Sequence, residues 1–167
     1  MSQPSAGFEP LDAITVLERY RVRYVVIGAI AGRLLGSPTI TRDLDICYAR
    51  DDANLEALAS ALRELHARLR GADADVPFKL DAKTLRMGDS FTFETDAGDL
   101  DILATPAGTR GYDELIRTAD ELDLGGFKVR VASIDALIQM KRAAGRPKDL
   151  IEVEVLAALR DEIDRRS

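Results

Sequence analysis

The sequence predicts an α/β fold: a mixed β-sheet with helices packed on it and a pair of helices at the C-terminal end. Three observations carry this expectation. Short β-branched and aromatic runs, such as Tyr24-Val25-Val26-Ile27, alternate with segments whose apolar residues recur at helical spacing. Turn residues separate them, at Gly28, at Gly36-Ser37-Pro38, at Asp96-Ala97-Gly98 and at Gly125-Gly126. Neither an internal repeat nor a linker-like stretch interrupts the alternation, so residues 8–167 are expected to form a single domain behind a small, polar, flexible N-terminus over residues 1–7.

In chain order, Leu11, Ile14 and Leu17, with Val16 beside them, predict a short helix with one face on the sheet. Residues 24–27 read as a buried strand, ended by Gly28. Residues 29–35 then form a helix that Gly36-Ser37-Pro38 breaks, and residues 44–48 return as a strand. Asp51 and Asp52 open a second long helix, because carboxylates cap free N–H groups and suit the helix dipole. Its apolar stripe is Leu55, Leu58, Leu62, Leu65 and Leu69. Arg63, Glu64, Arg68 and Arg70 lie on or beside its wet face, His66 is surface filler within it, and Gly71 ends it. Residues 72–89 are the least legible part of the chain, with a short strand expected over residues 76–80.

Phe91-Thr92-Phe93-Glu94-Thr95 alternates apolar and polar residues and reads as a half-exposed strand, paired through a turn with residues 100–103. Residues 111–119 read as a helix. Residues 121–124 and 127–131 flank Gly125-Gly126, a compact hairpin signal. Ser133 caps a helix that runs to Ala144 and stops at Gly145. Pro147 suits the first turn of the last helix, with Leu150, Val153, Leu156, Ala157 and Ile163 directed inward.

Composition narrows the function. Apolar residues make up 46% of the chain and charged residues 31%, with a net charge of −6. That balance argues against nucleic-acid affinity driven by overall charge, while leaving room for a local basic patch. The N-terminus lacks a basic region followed by an apolar one, and no run approaches a membrane span, so no signal peptide and no membrane contact are expected. A single cysteine, Cys47, cannot make an internal disulfide, which suits a cytoplasmic protein, and it reads as a small core residue. One histidine cannot build a zinc site.

The chemistry concentrates in residues 24–48. Side chains on a strand alternate, so Asp43 and Asp45 share one face and Leu44 takes the other. The turn at Gly28-Ala29 offers unpaired amides to an anion. Two carboxylates beside a phosphate-binding turn are what a Mg²⁺–nucleotide complex requires. Asp-x-Asp by itself is a weak signal, since the chain holds three copies. Asp73/Asp75 read as a solvated turn, and Asp99 as a turn residue at the start of its strand.

Gly28-Ala29 followed by Asp43-Leu44-Asp45 resembles the signature of the DNA polymerase β-like nucleotidyltransferase superfamily. Thr41-Arg42-Asp43-Leu44-Asp45 is most similar to the AbiEii-type nucleotidyltransferase toxins and their short relatives. The chain departs from the pattern at Ala29, where the family has Gly or Ser. Alanine keeps the amide but brings no hydroxyl to a phosphate. The resemblance implies a third acid from a neighbouring strand, and Asp101, in Gly-x-x-Asp-apolar-apolar, matches it. Two Mg²⁺ ions, with Mn²⁺ as a substitute, would then be held by Asp43, Asp45 and Asp101, since paired ions about 3.5–4 Å apart need bridging and terminal oxygens.

A second block, Lys141 to Asp149 (KRAAGRPKD), reads by itself as a helix–loop–helix with solvated charges. Together with Ser133, Asp135 and Leu137, it resembles a block near the end of AbiEii-like chains. The resemblance implies that Lys141 neutralises triphosphate, that Arg146 or Lys148 assists, and that Asp149 orients one of those cations. Arg42 joins the nucleotide-binding set, and Arg33 and Arg142 add local positive charge. The implied activity is metal-dependent transfer of an NMP from an NTP to an acceptor hydroxyl, with tRNA as acceptor in a toxin–antitoxin pair and a cognate antitoxin as partner. The alternatives are modification of an aminoglycoside or a protein, or an inactive NTP-binding module of the same fold. Thr41, two residues before Asp43, is in addition a candidate regulatory position, where a phosphate would add about −1.5 to −2 charges beside the acids.

Overall fold

Strand Tyr24–Ile27 (β1) is buried along its whole length, as four consecutive apolar or aromatic residues between two neighbouring strands must be. The structure, a computed structural model, describes residues 7–71 and 77–167. The remaining elements are Pro10–Arg19 (α1), Gly28–Leu34 (α2), Asp43–Tyr48 (β2), Asp52–Glu64 (α3), Arg68–Leu69 (β3), Ala82–Arg86 (α4), Ser90–Thr95 (β4), Gly98–Leu103 (β5), Tyr112–Thr118 (α5), Asp120–Asp123 (β6), Lys128–Val131 (β7), Ile134–Ala144 (α6) and Pro147–Arg166 (α7). The described strands form one mixed sheet in the order β3-β4-β5-β2-β1-β7-β6. β2 pairs with β5 and β1 with β7 in parallel, and the other neighbours are antiparallel.

The expected α/β architecture is therefore present, with both hairpins and the C-terminal helical pair. Asp51 caps α3 by accepting from the Asn54 N–H, and Ser133 caps α6 by accepting from the Ala136 N–H. Gly145 ends α6 in the left-handed region, and Pro147 opens α7. The core runs through Ile14, Leu17, Val25, Ile46, Leu55, Leu58, Leu62, Phe93 and Ile102, all essentially inaccessible. Each such aliphatic side chain contributes about 1.5–3 kcal/mol of burial. Cys47 is buried among them, and burial pushes its thiol up to about 12, so it is a core residue.

Four expectations are corrected. Helix α3 stops at Glu64, with Leu65 as its cap, and the chain reverses at His66, whose φ is +52°. Leu69 therefore belongs to β3 and not to the helical stripe, and Arg68 and Arg70 leave the helix with it. His66 lies outside the helix and pairs with Asp96. Asp99 is a paired residue of β5, opposite Asp43 and Glu94. Leu11, Leu150 and Ile163 are exposed, at 51%, 51% and 42%, because α1 and α7 each cover the body with a narrower face than their leucine spacing suggests. Residues 77–80 form no strand, and a five-residue helix, α4, follows, capped by Asp81. Val76, Asp73 and Asp75 lie outside the described residues, as does most of the stretch expected to be flexible at residues 1–7. No helix of the described residues is long and apolar enough to cross a membrane.

Candidate active site

The parallel pairing of β2 with β5 sets the acids side by side. Asp45 is opposite Asp101, and Asp43 is opposite Asp99. Adjacent strands lie about 4.8 Å apart, and residues two apart share a face. Asp43, Asp45 and Asp101 accordingly line one cavity of ≈ 390 Å³, together with Ala29, Thr41, Lys141, Arg146, Lys148, Asp149 and Glu152. Asp45 is the deepest of the three. Burial, then the charge and hydrogen bond of Asp101 and the charge of Asp43, push its carboxyl up to about 7, against the pull of Lys141. Burial also raises Asp43, with Asp101 and Asp99 adding to it and Arg70 and Lys148 opposing.

The turn before α2 closes tightly on this group. Gly28 has φ +71°, and a Cβ there would overlap Asp45 Oδ2. Glycine thus serves both the backbone conformation and the space that the carboxylate occupies. Thr41 Oγ1 accepts from the Asp43 N–H at 3.2 Å, so the loop entering β2 is tied to the first acid. Arg42, between them, is exposed and outside the cavity lining, and Arg33 is likewise exposed.

The cations arrive from the α6–α7 junction. Asp149, fully buried, anchors them: its Oδ2 accepts from Arg146 Nε at 2.6 Å and from the Arg146 N–H at 3.2 Å, and Lys141 Nζ is 3.5 Å from its Oδ1. The hydrogen bond from Arg146 is the chief reason that the Asp149 carboxyl titrates below its ordinary value. Lys148 lies exposed at the start of α7 and lines the cavity. Asp149 thus contacts both Arg146 and Lys141, where one cation was expected. Arg142, by contrast, lies outside the lining.

Three residues of this region escaped the sequence reading. Glu152 lines the cavity one turn beyond Lys148, and its carboxylate accepts from Thr39 Oγ1 at 3.1 Å, which ties α7 to the loop before β2. The third is Arg70, whose Nη2 donates to Asp101 Oδ1 at 2.8 Å. No local signal marks Glu152 and Thr39. For Arg70 the signal is the alternation of Ala67-Arg68-Leu69-Arg70, which the leucine spacing overrode.

The donor set fits a divalent cation of the Mg²⁺ or Mn²⁺ kind. Three carboxylates supply hard oxygen ligands, and Asp45 Oδ1 is buried without a hydrogen-bond partner. Yet among the described residues no three acidic side chains close on a single point, and one oxygen of Asp101 is held by Arg70.

No family model and no curated protein matches this chain. Its fold is similar to that of the lincosamide antibiotic adenylyltransferase LnuA in a lincomycin-bound crystal structure, with TM-score 0.60 and 13% identity over 90% of this chain and 95% of that one. It is similar also to the antibiotic-resistance factor ANT(2'')-Ia in solution, with TM-score 0.53 and 16% identity over 94% of this chain and 90% of that one. The chain thus has a fold that carries nucleotidyl transfer elsewhere.

Proposed function

We propose that this chain is a metal-dependent nucleotidyltransferase that moves an NMP from an NTP to an acceptor hydroxyl and releases pyrophosphate. The observation that carries the reading is the meeting in one cavity of Asp43, Asp45 and Asp101 with Lys141, Arg146 and Lys148. Carboxylates on adjacent strands hold cations, and a lysine and an arginine aimed by a buried aspartate hold phosphates. The fold shared with an adenylyltransferase supports it.

In this reading the acceptor oxygen bonds to the α-phosphorus while the bond to the bridging oxygen of pyrophosphate breaks, and pyrophosphate leaves with the electron pair. Lys141, with Arg146 and Lys148, meets its negative charge. Asp101, paired opposite Asp45 on β5, would take the proton that the acceptor hydroxyl loses. Asp43, Asp45 and Asp101 would hold Mg²⁺, which supplies charge neutralisation at the phosphates and acidifies the attacking hydroxyl. Thr41, bonded to the Asp43 N–H, is the point at which an added phosphate would disturb that group.

For the acceptor we propose tRNA, in a toxin–antitoxin pair, on the strength of the Thr41 to Asp45 and Lys141 to Asp149 blocks. Exposed Arg33, Arg42 and Arg142 would contact its phosphates. A second reading, modification of an antibiotic, is favoured by the fold shared with a lincosamide adenylyltransferase. Incubation with each labelled NTP and Mg²⁺ beside tRNA, a protein extract, a lincosamide and an aminoglycoside separates them. Label on tRNA alone supports the first reading, label on a drug the second, and label on none overturns both.

A further inference from the structure

Arg70 reaches the carboxylates from the end of β3, whereas Lys141 and Lys148 belong to α6 and α7. It follows β3, and its N–H donates to the Thr92 carbonyl at 2.9 Å, which fixes its backbone to β4. Thr92 is in turn the register partner of Asp101. The side chain reaches across β4 and is only 29% exposed. Its Nη2 donates to Asp101 Oδ1 at 2.8 Å and to the Phe93 carbonyl at 3.2 Å, and its Nε lies 3.5 Å from Asp99 Oδ2. Among the described residues it is the one cationic side chain hydrogen-bonded to Asp43, Asp45 or Asp101, while Lys141 is already paired with Asp149.

We propose that Arg70 is a built-in counter-cation that competes with the divalent metal for Asp101, so that metal enters the site together with nucleotide and binds poorly alone. The proposal rests on the nucleotidyltransferase reading above. Its physical ground is charge and ligand availability. A carboxylate oxygen committed to a guanidinium is not a free ligand, and a divalent ion beside that guanidinium meets a like charge a few ångströms away. In the metal-free protein, Arg70 offsets the repulsion among four aspartates on β2 and β5. An incoming triphosphate reverses the balance, because it brings negative charge to the ion and a second anionic partner to the guanidinium. Metal and nucleotide then strengthen each other's binding, and by linkage each does so by the same factor.

Titration with Mn²⁺, followed by the loss of the free-ion paramagnetic resonance signal beyond that caused by the analogue alone, tests this in wild type, Arg70→Gln, Arg70→Met and Arg70→Lys, with and without a non-hydrolysable NTP analogue. Melting curves identify the variants that fold. Without the analogue, the neutral variants should bind Mn²⁺ at least about tenfold more tightly than wild type, a floor well below the bare Coulomb repulsion of one like charge at an effective dielectric of about 20. Arg70→Lys, which keeps the charge, should stay near wild type. The gain in Mn²⁺ affinity on adding the analogue should shrink in Arg70→Gln, and adding Asp45→Asn should abolish its tight binding. Folded neutral variants that bind Mn²⁺ no more tightly than wild type would overturn the proposal, as would tight binding that survives Asp45→Asn. If wild type binds Mn²⁺ with the analogue while the neutral variants show no gain, only the role of Arg70 fails. If wild type binds no Mn²⁺ even with the analogue, the nucleotidyltransferase reading fails with it.

Discussion

Gly28 and Asp45 occupy one another's side-chain space: a Cβ on residue 28 would overlap Asp45 Oδ2, and the glycine has φ +71° besides. The register of β1 with β2, which sets Ile27 opposite Asp45, brings the turn and the acid together. Two demands thus fall on one residue. Gly28→Ala should destabilise the fold by about 1–3 kcal/mol through the left-handed backbone alone. It should also displace the Asp45 carboxylate, so that Mn²⁺ affinity falls along with the melting temperature. Ala29→Gly, which adds no atom to the cavity, should leave Mn²⁺ affinity unchanged.

Asp45 has a carboxyl raised from an ordinary 3.8 to about 7 by burial and by its acidic neighbours. A group raised in the folded state binds its proton more tightly there than in the unfolded chain. Its contribution to stability is therefore present below the ordinary value and is lost as pH rises through about 7. Asp45→Asn should raise the melting temperature of the metal-free protein at pH 8, and the advantage should narrow as pH falls below about 7 and vanish only below 3.8, where Asp45 is neutral in the folded and the unfolded chain alike. An equal melting temperature at both pH values would mean that Asp45 is ionised without cost.

Asp149 behaves in the opposite sense. Its lowered carboxyl contributes stability above the ordinary carboxylate range, and that stability is lost as pH falls through and below it. Asp149→Ala frees Arg146 and Lys141 and removes the cap of α7. We expect a loss of about 1–3 kcal/mol at pH 7, which corresponds to roughly 2–4 °C in melting temperature per kcal/mol. The deficit should narrow in acid.

Lys141→Ala should weaken NTP binding or slow transfer, and Lys141→Arg should restore only part of it, since a guanidinium does not reproduce the compact ammonium. Fluorescence titration with a labelled NTP analogue, beside single-turnover transfer rates, separates the two effects. Unchanged binding and unchanged turnover in Lys141→Ala would confine α6 to the scaffold.

Much of this arrangement is legible along the chain because it is local. A β-branched run, a glycine turn and alternating aspartates specify β1, the turn and β2 within 25 residues, and Ser133, Gly145 and Pro147 mark the ends of α6 and α7 by capping chemistry alone. What is hidden depends on distant pairing. The register that places Asp45 opposite Asp101 is a parallel contact across 56 positions, and it reached the sequence reading only through resemblance. Arg70 was hidden for a different reason. Leu62, Leu65 and Leu69 keep helical spacing past the true end of α3, so periodicity outlasts the helix and masks a short edge strand. Leu150 and Ile163 show the same limit, since spacing gives a face but not how much of it another element covers.

The proposed chemistry requires Asp43, Asp45 and Asp101 to act as one metal-binding unit for nucleotidyl transfer. It is tested most directly by measuring pyrophosphate release and label transfer from an α-labelled NTP with Mg²⁺ and tRNA, in wild type and in Asp101→Asn of matched melting temperature. Wild type should yield equimolar pyrophosphate and transferred label, and Asp101→Asn should lose both to background. Transfer by Asp101→Asn at the wild-type rate would contradict that requirement.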